Sequence, residues 1–100
     1  MSYSYRILDV AAVELLEASL WYESKRAGLG DEFMLCFEAE LNHILKNPFQ
    51  FQIQRKNLRF AIFDRFPYYI IYYVEENLVT VIACFHSKRN PGVWKKRRLI

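Results

Sequence analysis

The sequence predicts an α+β fold, β-α-α-β-β-β, with a helical hairpin packed on a small antiparallel sheet. Three observations predict it. Residues 2–8 alternate, so that Tyr3, Tyr5 and Ile7 share one face of a strand. Two segments with helical spacing follow, separated by Ala27-Gly28-Leu29-Gly30-Asp31. Three apolar, aromatic-rich runs then lie within residues 58–85, joined by turns too short for anything but an antiparallel meander.

Asp9 suits the N-cap of the first helix. Val10, Val13, Glu14, Glu17, Ala18, Trp21 and Tyr22 recur at helical spacing, and Lys25 or Arg26 ends the helix where its dipole favours a cation. Gly28 suits a left-handed C-cap and Asp31 the next N-cap. Phe33, Phe37, Leu41, Ile44 and Leu45 form one broad apolar face. Asn47-Pro48 stops this second helix, because a residue before proline leaves the helical region. The short link makes the two helices an antiparallel hairpin. Residues 49–57 are polar and read as an irregular connection. Residues 58–63 alternate, Asp64-Arg65-Phe66-Pro67 turns the chain, and residues 68–74 form the next strand. Glu75-Glu76-Asn77 is a tight hairpin turn, with Asn77 tolerating positive φ, and residues 78–85 close the sheet. Nothing marks a second unit, so residues 1–100 are expected to form one domain.

Charge is lopsided. Residues 1–45 carry eight acidic and three basic side chains; residues 46–100 carry three acidic and eleven basic ones. The second half therefore invites an anionic partner. Cys36 and Cys84 stand apart with no CxxC spacing and read as small buried apolar residues. With only His43 and His86 to join them, no metal site and no cofactor are expected. No apolar run matches a signal-peptide core or a membrane span, so the expected location is the cytoplasm.

The last apolar strand runs straight into His86-Ser87-Lys88-Arg89-Asn90-Pro91-Gly92-Val93-Trp94-Lys95-Lys96-Arg97-Arg98. Strand exits are where a rigid sheet presents side chains to a partner. His86 can move a proton at neutral pH, with Lys88 and Arg89 beside it to stabilise developing negative charge. The acidic candidates on the sheet, Asp64, Glu75 and Glu76, all fall in turns. Tyr68 and Tyr72 share one strand face and Tyr69 and Tyr73 the other; one pair is expected beneath the helices and the other free for stacking. Arg59, Arg65 and Arg89 are expected near one another at the sheet surface. Trp94 either anchors the tail or inserts into a partner.

Taken together, these residues resemble the RelE/ParE superfamily, the toxins of bacterial type II toxin–antitoxin modules, often labelled plasmid stabilisation proteins. The match rests on Glu17-Ala18 with Trp21-Tyr22, Gly28-Leu29-Gly30 with Phe33, and Asn47-Pro48. It extends to Arg65-Phe66-Pro67-Tyr68 with Ile71-Tyr72, and to His86 with Arg89-Asn90-Pro91 and Trp94. Two positions depart from the mRNA-cleaving members: Tyr69 stands where they carry Arg, and Trp94 where they carry Tyr. A hydroxyl does not replace a guanidinium, nor an indole a phenolic acid or base. The resemblance thus favours the ParE branch, which is associated with inhibition of DNA gyrase rather than with catalysis. It implies neutralisation by a cognate antitoxin encoded in the adjacent gene, whose C-terminal segment orders on binding. Partner contact is then assigned to Lys88, Arg89, Trp94, Arg97, Tyr69 and Arg59. Two alternatives stay open. One is a RelE-like ribosome-dependent endoribonuclease, acting on mRNA with His86, Arg89, Lys88 and Arg65. The other is an inactive member that only binds antitoxin.

Overall fold

Strand β1 (Ser4–Ile7) opens the chain, followed by helices α1 (Asp9–Lys25) and α2 (Leu29–Lys46). Strands β2 (Ile53–Arg55), β3 (Leu58–Ile62), β4 (Tyr68–Glu75) and β5 (Leu78–His86) complete the sheet, and a single turn of helix, α3 (Gly92–Lys95), follows. The computed structural model describes residues 3–95. The α+β architecture with a helical hairpin on one sheet is as expected, with two additions. The sheet is mixed and has five strands, in the order β1-β5-β4-β3-β2. Its strand β1 lies parallel to β5, with Ser4 opposite Leu78 and Ile7 opposite Val81. No tight turn joins β1 to the meander, so the path through the helical hairpin sets its direction. The second addition is β2, inside the stretch expected to be irregular. It is short, exposed throughout and bulged against β3, and its Gln- and Arg-rich composition conceals it.

The helix caps differ from expectation. Leu8, not Asp9, is the N-cap of α1, and Asp9 lies in the first turn, where its charge meets the helix dipole. Likewise α2 begins at Leu29, so Asp31 falls inside its first turn. Gly28 is left-handed, at φ 87°, but as the N-cap of α2 rather than the C-cap of α1. Its helix start is satisfied from α1 instead: the Glu23 carboxylate accepts the Gly28 and Gly30 N–H groups, both at 2.9 Å. The β4–β5 turn places positive φ on Glu76 rather than Asn77.

The sheet separates two cores. Ala11, Leu15 and Ala18 of α1 and Phe33, Phe37, Leu41 and Ile44 of α2 pack on Ala61, Ile70, Tyr72, Val79, Val81 and Cys84. The opposite face buries Leu58, Ile71, Tyr73, Ile82, Ala83, Phe85 and Trp94. Tyr68 and Tyr72 thus lie on the helix side, and Tyr69 and Tyr73 on the other. The Tyr72 hydroxyl donates to the Pro48 carbonyl at 2.6 Å, which ties the end of the helical hairpin to the sheet centre. In β5, Ala83 faces Ile71 while Val81 faces Tyr72, so Ile82 is one extra residue. This bulge shifts the alternation of the strand. Beyond it, Cys84 and His86 turn toward α1. Among the described residues no helix is long and apolar enough to cross a membrane.

Candidate functional site

Past the bulge, the end of β5 and the start of β4 face α1 across an open cleft of about 650 Å³. Glu14, Glu17, Ala18, Trp21 and Tyr22 form the α1 wall; Pro67, Tyr68, Cys84, His86, Lys88 and Arg89 form the other. The His86 ring meets Tyr68 edge-on at 5.1 Å. Its Nδ1 accepts the Lys88 backbone N–H at 3.0 Å, so a neutral His86 carries its proton on Nε2. The backbone N–H of Ser87 donates to the Pro67 carbonyl at 2.8 Å, which holds the exit of β5 against the entry of β4.

Glu14 is the residue that sequence reasoning missed. Its side chain is buried on the core stripe of α1, between Ala11 and Leu15. One carboxylate oxygen accepts the Cys84 N–H at 3.1 Å, and the other lies 3.8 Å from the Arg89 guanidinium. Arg89 also rests its guanidinium over the Phe85 ring at 5.1 Å. Glu17 stands one turn on, so Glu14 reads in the sequence as one more solvated acid, and only the crossing of β5 supplies its buried partners. Burial, with Glu14 adding to it, pushes the Cys84 thiol pKa well up, so this cysteine offers no thiolate at neutral pH. Burial also raises the Tyr68 and Tyr22 hydroxyl pKa values.

The remaining sequence-predicted residues lie elsewhere. The three arginines expected together are held at separate places. Arg59 donates to the Phe51 carbonyl at 2.6 Å and covers the Phe49 ring. Arg65 pairs with Glu32 of α2 at 2.7 Å, beside Phe66. That hydrogen bond holds the Glu32 carboxyl pKa below its ordinary range. Only Arg89 reaches the His86 cleft. Tyr69 and Trp94 lie on the far face of the sheet, where Tyr69 stacks on Phe60 at 5.0 Å and Trp94 meets Phe60 edge-on at 5.3 Å. With Arg55 and Lys95 these two line a smaller depression of about 300 Å³. Trp94 is only 3 % exposed and serves as an anchor for α3. Arg97 lies outside the described residues. Among the described residues no three His, Cys, Asp or Glu side chains converge as metal ligands.

His86 therefore stands in a polar-rimmed cleft with Lys88, Arg89, Glu14 and Glu17, while the aromatic pair occupies the other face. No family model matches the chain, and no curated protein matches it. A solved structure does: a chain of the chromosomal ParDE TA system from P. aeruginosa, with a TM-score of 0.70 and 11% sequence identity. The superposition covers 86% of this chain and 97% of that one. What this chain shares with that toxin–antitoxin structure is the fold of nearly its whole length.

Proposed function

We propose that the chain is the toxin of a type II toxin–antitoxin pair, a ParE-like protein that inhibits DNA gyrase by binding and is neutralised by a cognate antitoxin. The fold likeness to the ParDE structure supports the toxin–antitoxin class. The observation that carries the binding mode is the dispersal of the arginines. Arg59 is bound to backbone carbonyls and Arg65 to Glu32, while Tyr69 and Trp94 sit on the opposite sheet face from Tyr68. A phosphate-cleaving centre needs its cations and its proton-transfer groups around one scissile bond. Here a basic rim is left, Lys88 and Arg89, suited to gripping an acidic protein surface.

Expression should arrest growth, and purified protein should inhibit supercoiling by purified gyrase. Lys88→Glu/Arg89→Glu should abolish that inhibition. Growth arrest with unimpaired gyrase would sink this reading. A second reading, a ribosome-dependent endoribonuclease, is favoured by one observation: His86 Nε2 is left for the cleft, beside Lys88 and Arg89. It predicts codon-positioned cuts in mRNA on translating ribosomes, lost in His86→Ala and in Arg89→Ala. Toxicity unchanged in both variants rules it out.

A further inference from the structure

On the helix side of the sheet, α1 packs over β5 and α2 over β3. The outer edge of β3 is covered at one end only, because β2 pairs with it at Leu58 and Arg59 and at no later residue. The Phe63 N–H donates to the Tyr68 carbonyl, on the β4 side, at 2.9 Å. Backbone direction alternates along an antiparallel strand, so the N–H and C=O of Ile62 point the other way, to the open edge. Ile62 stands opposite Tyr69, so its side chain lies on the sheet face away from the helices. On the helix side of the same edge stands Leu35 of α2. At 69% and 64% exposed, Ile62 and Leu35 are the two most exposed large apolar side chains among the described residues. An open strand edge flanked on both faces by apolar side chains is a template for one more strand.

The cleft between this edge and α2 holds about 500 Å³ and carries more acid than base. Its Glu32 is already paired with Arg65. That leaves Glu40 and Asp64, with His43 3.9 Å from the Glu40 carboxylate. The Glu40 side chain is only 12% exposed. Burial raises its carboxyl pKa, and the charge of Asp64 adds to this against the opposing effect of His43. A carboxylate so placed gains from an incoming cation.

We infer that the β3 edge at Ile62 receives an extended, basic segment of a partner protein as an added strand. Its Lys or Arg side chains reach Glu40 and Asp64, their aliphatic stems lie along Leu35, and its alternate side chains cover Ile62. Charge selects this occupant. Two copies of the chain meeting edge to edge would bring these carboxylates together, and an acidic segment would be repelled by them. The chain as a whole carries +3, so the attraction for a basic segment is local to this cleft. The inference goes beyond the toxin reading and does not use it, since the His86 cleft lies at the other end of the sheet, between α1 and β5.

Calorimetric titration of the intact chain with a synthetic peptide of about eight residues, alternating Lys and Val, tests this. The peptide should bind, and the same peptide with Glu in place of Lys should not. Glu40→Gln/Asp64→Asn should weaken binding about tenfold or more. Leu35→Ser, at an exposed position, should weaken it while keeping the parent unfolding midpoint. Ile62→Pro removes an N–H that β4 does not use, at a place where an edge strand tolerates proline, and should abolish binding. Lys88→Glu should leave binding unchanged, because that residue lines the other cleft. No binding of the Lys peptide, equal binding of the Glu peptide, or undiminished binding to the Glu40/Asp64 and Leu35 variants overturns the inference. So does a dimer in sedimentation that Ile62→Pro dissolves, which gives the edge to a second copy. None of these outcomes is read from growth arrest or gyrase inhibition, so failure here leaves the toxin reading standing, and failure of that reading leaves the edge.

Discussion

Glu14 links helix, strand and cleft through two carboxylate oxygens, one on the Cys84 N–H and one near Arg89. Removing it strands a buried backbone donor. Glu14→Ala should cost about 1–3 kcal/mol in urea unfolding, and Glu14→Gln, which keeps an acceptor, distinctly less. Glu23 acts differently because it is exposed. The Gly28 and then the Gly30 N–H groups hold its carboxyl pKa below the ordinary range. A depressed folded pKa contributes stability above the unfolded value, near 4.3, that is lost as pH falls through the lower folded value. On acidification from pH 7 to pH 3 the parent should therefore lose more of its unfolding midpoint than Glu23→Gln does. Neither role is written in residue type alone. A Glu in a helix reads as solvated until the chain that crosses it is known.

The helical hairpin depends on two glycines for different reasons. At Gly28 there is open space, but φ is 87°, so Gly28→Ala should cost about 1 kcal/mol from backbone strain alone. At Gly30 the backbone is unremarkable, but an added Cβ would stand 2.5 Å from the Ser19 carbonyl oxygen of α1. Gly30→Ala must push the two helices apart and should be the more damaging, by about 1–3 kcal/mol, with a lowered thermal midpoint as the check. The Gly-x-Gly break was visible in the sequence as a helix boundary. Its second glycine is a packing contact between helices, which no boundary signal distinguishes from a turn. The bulge at Ile82 belongs to this scale too. A run that is apolar apart from Thr80 carries no alternation to betray the extra one.

Across the whole molecule, the acidic helices and the basic strand ends that composition separates are brought face to face, in Glu14–Arg89 and Glu32–Arg65. On the sheet face away from the helices, Trp94 from beyond β5 packs into the second core. Trp94→Ala should cost about 3–5 kcal/mol and uncover Phe60, Phe85 and Tyr69, read out by chemical unfolding and by increased binding of a hydrophobic dye. Any loss of toxicity in that variant should then track stability, whereas Lys88→Glu, at an exposed position, should lose activity while keeping the parent midpoint.

By itself the sequence determined the order of the main elements, the two helices, the buried stripe of α2, the aromatic meander and the basic exit of its last strand; the buried side of α1, Ala11, Leu15 and Ala18, it did not. Each of these is a local period or a local charge run, and local signals survive without coordinates. Only the tertiary structure decided that β1 runs parallel to β5, that an extra edge strand forms, and that His86 turns toward α1. It also separated the expected site residues: Lys88 and Arg89 at the α1 cleft, Tyr69 and Trp94 on the opposite face, Arg59 and Arg65 tied to other elements. Strand pairing, bulge position and the partner of a charge are contacts between residues distant in sequence, and periodicity along one segment does not encode them.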